Sequence, residues 1–274
     1  MGGRPPPGGR QTAPVQPVVD AGVDWVTGEQ LVVWGAGEDL VASRRPSRWG
    51  RQLAGRLHET VAWRGAGFGY RSGFDDITGI VLCGRDGDGS GPARFVAVGR
   101  ATGDVCLHST EGVLPLLHRL ETTGTTESAD GDEFEVRSMD CSRRFVATGM
   151  REGSVFLHSL PEDNVLRSLA SEPVLRLDME NDRTGSRNDQ IHASIRCIKL
   201  VRDDLLVVGL VGQERPLRYI RLTESGHVTE FAPRNPLYDL GVVQTTVRAI
   251  QPLCANDTKL GHLVLGAWDD GTIR

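Results

Sequence analysis

Residues 95–109 of this chain recur almost unchanged at residues 145–159. The first copy reads FVAVGRATGDVCLHS and the second FVATGMREGSVFLHS, with nine of fifteen positions identical at an offset of fifty. Each copy is an apolar run, a glycine-centred turn and a second apolar run, the pattern of a β-hairpin. Self-similarity at this period narrows the choice to arrays of small supersecondary units, a propeller or a solenoid.

Weaker copies extend the pattern along the chain. LVVWGAGEDLVAS at residues 31–43 aligns one residue shorter, with Leu31 on Phe95, Gly35 on Gly99 and Leu40 on Val105. Ile77, Val136, Ile195 and Val247 each open the motif [IV]-x-x-[IM], at spacings of 59, 59 and 52 residues. An [FLH]-[VL]-[AV]-x-G run follows each of them. The units so marked run over about 18–65, 74–121, 133–171, 193–232 and 246–274, the last incomplete. Each complete unit offers four short strands, the fourth expected at residues 59–63, 113–120, 164–169 and 227–231. The inner strands carry apolar residues on both faces, so each lies between two other layers. Four-stranded antiparallel units stacked at a fixed period make an all-β fold, a β-propeller. Arg274 falls in mid-strand, which predicts about four and a half blades of an incomplete ring, completed by further chain, a partner or a second copy.

Composition limits the function classes. Net charge is −5, so no basic field draws nucleic acid or an anionic membrane, although residues 44–56 hold five arginines. The longest apolar stretch, residues 205–212, is too short to span a bilayer as a helix, and no hydrophobic leader core follows the first arginines. Five cysteines at irregular spacing with no CxxC pair read as small core residues in a reducing, cytoplasmic or nuclear setting. Residues 1–17, with five prolines and four glycines, read as a disordered tail.

Chemistry-bearing patterns are sparse. Residues 86–91, DGDGSG, open like a calcium loop, but the twelfth position, which should be a bidentate acid, is Ala97. Gly65-Ala66-Gly67-Phe68-Gly69 lacks the full dinucleotide pattern. The seven histidines show no HExxH or HxH spacing. His108 and His158 occupy equivalent repeat positions, which favours buried structural imidazoles over ligands or bases. No cofactor is implied. One constellation stands out: Arg137, Arg196 and Arg248 are each second in the first strand of successive units. On a propeller they would ring one level, where guanidiniums could grip a phosphorylated or acidic peptide. The competing reading pairs each with an acid on the next blade.

The ending WDDGTIR resembles the DG-T-[IV]-[RK] hairpin of WD-repeat proteins, and GDVCLHS and GSVFLHS match the same stretch. His108 and His158 stand where that family usually has the tryptophan of its WD dipeptide. The resemblance implies a ring of about seven blades and a non-catalytic scaffold for protein partners. A narrower similarity joins LVVWGAGEDLVAS, Trp63-Arg64 and DDITGI to the propeller part of fungal F-box proteins. It implies substrate recruitment to a ubiquitin-ligase core, although no segment here reads as the F-box itself. The alternative is a propeller enzyme, a hydrolase or lyase, with histidines or acids converging on the channel mouth.

Overall fold

The computed structural model describes residues 19–24, 28–36, 39–45, 58–63, 77–84, 91–111, 114–122, 135–161, 170–179, 193–211, 213, 216–222, 228–231, 247–253, 263–268 and 271–273. The proline-rich residues 1–17, most of the arginine stretch 44–56, Gly65 to Gly69 and most of the DGDGSG turn lie outside them, as do His192, His227, His262 and Cys254.

The first sheet holds β1 (Val19–Val23), β2 (Gln30–Ala36), β3 (Asp39–Arg45) and β4 (His58–Trp63). The second holds β5 (Ile77–Cys83), β6 (Phe95–Arg100), β7 (Val105–Ser109) and β8 (Leu116–Leu120). The third holds β9 (Val136–Cys141), β10 (Phe145–Met150), β11 (Ser154–Ser159) and β12 (Leu175–Asp178). The fourth holds β13 (Ile195–Arg202), β14 (Leu205–Leu210), β15 (Leu217–Leu222) and β16 (Val228–Phe231). β17 (Val247–Leu253) and β18 (Leu263–Trp268) pair in a fifth, and Ile273 bridges back to Ala267. Within each sheet the strands follow chain order and pair antiparallel, so each is a meander.

Two expectations need correcting. In the third blade the strand paired with β11 is Leu175–Asp178, in register from Ser154↔Asp178 to Leu157↔Leu175, while residues 164–169, expected there, lie outside the described residues. Alternation explains the choice: Leu175 and Leu177 turn inward while Arg176 and Asp178 face water. In the fifth blade, register aligns Ala267, rather than Gly266, with the repeat glycine, because Trp268 faces Val247 as Arg100 faces Ile77.

Each core cluster straddles two blades. β6 is buried along its length, and its period of two divides the burial. Val96 and Val98 pack with Leu31, Val33 and Leu40 of the first blade. Phe95 and Ala97 pack with Val146 of the third. β14 repeats this: Leu206 and Val208 join Ile195 and Ala147, while Val207 joins Val247.

The two sequence motifs meet in these boundaries. Gly35, Gly99 and Gly149 each lie against the first residue of the next inner strand, Ile77, Val136 and Ile195. A Cβ on Gly99 would stand 2.5 Å from Val136 Cγ1, and one on Gly149 2.9 Å from Ile195 Cγ2. The repeat glycine therefore supplies room for the neighbouring blade. The turn glycines Gly103, Gly153 and Gly271 serve a different need, with φ of 89°, 106° and 79°.

Side chains also close backbone groups on the inner strands. Asp20 accepts from the Leu82 amide at 2.7 Å, and the repeat-equivalent Asp140 accepts from the Leu200 amide at 2.7 Å. Asp140 also pairs with Lys199 Nζ at 2.8 Å. An inner strand is a sheet edge, and these carboxylates satisfy donors that the sheet leaves open.

Candidate functional site

The rim that receives the inner strands carries the arginine constellation. In each of β5, β9, β13 and β17 the pairing with the next strand skips the second residue, so Thr78, Arg137, Arg196 and Arg248 are all bulged. A β-bulge adds one residue opposite the partner and re-aims the side chain it carries. The sequence cause is the same each time. Ile77, Val136, Ile195 and Val247 are drawn into the blade–blade contact, each with at most 2% of its surface exposed. The residue after each departs from the regular ladder.

The three arginines thus occupy one repeat position on adjacent inner strands. Arg137 and Arg196 are half-buried and Arg248 is exposed. Arg137 Nη2 lies 3.0 Å from Glu135 Oε2. The acid is two residues earlier on the same segment, not on the next blade. Glu135 Oε2 also faces Arg151 Nη1 at 3.7 Å, and the Arg151 amide donates to the Glu135 carbonyl at 2.9 Å. Arg151, on the turn after β10, therefore extends the basic rim. Sequence reasoning missed it, because its repeat counterpart after Arg100 is Ala101. Residues two apart share a face of a strand, so the Glu135–Arg137 pair was readable, whereas the approach of Arg151 to Glu135 is made only by the fold. Beside it, Glu152 Oε2 is buried without a hydrogen-bond partner, and desolvation by burial raises its carboxyl to about 6.

The histidines take another role. His108 and His158 are each 1% exposed. His108 Nδ1 lies 2.9 Å from the Leu114 carbonyl, and His158 Nε2 lies 2.9 Å from the Glu121 carbonyl in the preceding blade. Burial lowers the pKa of both imidazoles, which keeps them neutral. Leu114 adopts a left-handed φ of 53° while fully buried, and its carbonyl is the one that meets His108. His118 Nε2 lies 3.0 Å from Ser171 Oγ. Among the described residues, no three histidines, cysteines or acids come together as a metal site would need. No helix among them is long and apolar enough to cross a membrane.

No family model and no curated protein matches the sequence. Solved structures do match. Sqt1 of Saccharomyces cerevisiae is 12% identical with a TM-score of 0.54, over 89% of this chain and 54% of that one. The Cps50 (Swd1) β-propeller domain of Myceliophteria thermophila is 17% identical with a TM-score of 0.47, over 74% and 51%. Hsv2 of Kluyveromyces lactis is 10% identical with a TM-score of 0.48, over 73% and 57%. The chain spans about half the length of the chains it matches. The consecutive meanders, the glycine contacts between them and the likeness to Sqt1 identify the fold as a β-propeller.

Proposed function

We propose that this propeller is a non-catalytic platform for protein partners, and that Arg137, Arg196 and Arg248 grip an acidic or phosphorylated peptide segment. The observation that carries the reading is the recurrent bulge, which sets an arginine at one repeat position of three neighbouring inner strands. A guanidinium offers a planar fork of donors that matches carboxylate or phosphate oxygens two at a time. A rigid sheet scaffold presents such groups with little ordering cost on binding. Glu135 holds Arg137 and Arg151 near one another in the free protein, so an incoming anion meets guanidiniums already gathered.

The test is fluorescence anisotropy against a panel of acidic, phosphorylated and neutral peptides. Arg137→Ala, Arg196→Ala and Arg248→Ala should each weaken the best peptide about tenfold, in line with a charge-assisted hydrogen bond at a partly exposed site. Equal binding of neutral and phosphorylated peptides would end the proposal.

A sharper form of this reading is substrate recruitment for a ubiquitin ligase. It rests on the resemblance of LVVWGAGEDLVAS, Trp63-Arg64 and DDITGI to F-box propeller proteins. Co-purification with a ligase core would support it; a partner set without one would leave only the broader platform. The enzyme alternative asks for histidines or acids at the channel mouth; of the described histidines, His108 and His158 are spent on backbone carbonyls inside the blades.

A further inference from the structure

Two thiols meet across the boundary between the second and third blades. Cys83 ends β5 and is fully buried, while Cys141 ends β9 and is half-buried. Cys141 Sγ donates to the carbonyl of Leu82, the neighbour of Cys83, at 3.1 Å. Cys83 Sγ donates to the Val81 carbonyl at 3.4 Å, so both thiols turn to carbonyls of neighbouring residues on β5. Both belong to one apolar cluster, with Phe95, Ala97, Leu107 and Val146 around them. The other described cysteines face elsewhere: Cys197 Sγ turns to the Val247 carbonyl at 3.6 Å, and Cys106 lies beside Arg100 and Arg119.

We propose that Cys83 and Cys141 form a reversible disulfide that clamps the second blade to the third when the protein meets a two-electron oxidant of the peroxide class. Cys141 is the entry point, because its thiol keeps partial exposure while Cys83 has none. The Cys141 sulfur attacks a peroxide oxygen and the O–O bond breaks, leaving a sulfenic acid and one water. The Cys83 sulfur then attacks the Cys141 sulfur. The S–S bond forms, the S–O bond breaks, and the hydroxyl leaves as a second water with the Cys83 proton. Two thiols are oxidised and one peroxide is reduced. Burial pushes the Cys83 thiol well up, so it stays protonated until a sulfenic acid arises beside it. The new bond closes a loop that runs through β6, β7, β8 and β9, and it restricts the unfolded chain accordingly.

The experiment treats the full chain with equimolar hydrogen peroxide at neutral pH, alkylates free thiols under denaturing conditions, and maps peptides without reduction. The expected product is a peptide joining Cys83 to Cys141, lighter by two hydrogens than its reduced parts and released by dithiothreitol. The oxidised protein should also show a raised urea midpoint. Cys83→Ser should abolish the linked peptide and leave Cys141 as a sulfenic acid, which a second equivalent of peroxide carries to sulfinic acid, whereas Cys141→Ser should leave Cys83 unoxidised. The wild-type map stands whether or not either variant folds. Cys83 recovered fully alkylated beside an over-oxidised Cys141, or linked to Cys106, Cys197 or Cys254, overturns the proposal.

Discussion

Replacing Gly99 by alanine tests the blade–blade contact with the smallest available change. The added Cβ would stand 2.5 Å from Val136 Cγ1, 2.7 Å from Met139 Sδ and 3.0 Å from Val136 Cβ. The Met139 sulfur ends a flexible side chain and can swing away. Val136 cannot: it is β-branched, fully buried and paired with Met150 in the ladder of its own sheet. Overpacking of this kind costs about 1–3 kcal/mol. Removing a glycine from a strand returns about 0.5–1 kcal/mol of that, since alanine has less backbone freedom to lose. The net loss is about 1–2 kcal/mol, which in a domain of this size lowers the melting temperature by about 2–8 °C. Thermal unfolding followed by circular dichroism reads it directly. Val136→Ala should also destabilise the chain alone, by leaving a cavity, yet combined with Gly99→Ala it should recover part of the loss. A favourable coupling of about 0.5–2 kcal/mol in that double-mutant cycle is the signature of direct contact. If Gly99→Ala melts with the parent, or the two changes simply add, the glycine is not the seat of the neighbouring blade.

Three further outcomes follow from the buried polar groups. The Glu152 carboxyl is raised to about 6 by desolvation, so between the ordinary acid range and that pH the folded chain holds the proton more tightly than the unfolded one. Stability contributed there falls as pH rises through the window, and Glu152→Gln should flatten the profile and stabilise the protein at neutral pH by about 1 kcal/mol after screening. His108 behaves in the opposite sense: burial lowers its pKa, so the unfolded chain binds the proton first and stability is lost as pH falls through the ordinary histidine range. His108→Gln should remove that acid-side slope in urea titrations across pH. Asp140→Ala leaves the Leu200 amide and Lys199 without the carboxylate that joins them, and should cost about 2–4 kcal/mol by chemical denaturation, more than Lys199→Ala.

The fold was legible because each blade repeats the same physical problem. The hairpin phrase carries its turn glycine, its apolar alternation and its packing glycine in fifteen residues, and the register confirms the alignment of Gly35 with Gly99 through the pairs Gly35↔Leu40 and Gly99↔Val105. Outer strands were harder to place. Residues 175–178 are four alternating residues with no repeat signature, and an equally apolar run at residues 164–169 competed for them. A strand that packs on one side only leaves a weaker record in the sequence. In the fifth blade Gly266 drew the alignment one residue off, since register is set by cross-strand pairs that no single strand displays. At the candidate site, equivalent position was readable for Arg137, Arg196 and Arg248, but the bulge that they share was not. It follows from the burial of the preceding residue against another blade, a contact between segments far apart in the chain. Arg151 was missed for the same reason: only the folded chain brings it to Glu135.

The most direct test of the peptide-binding account replaces all three arginines by lysine: Arg137→Lys, Arg196→Lys and Arg248→Lys in one chain. Charge is retained, but the planar fork that binds two oxygens at once is lost. Isothermal titration with the best phosphorylated peptide should show affinity falling at least about tenfold, with the melting temperature unchanged within about 2 °C. Affinity equal to that of the parent chain would contradict the account and reduce the three arginines to solvated charges on a structural bulge.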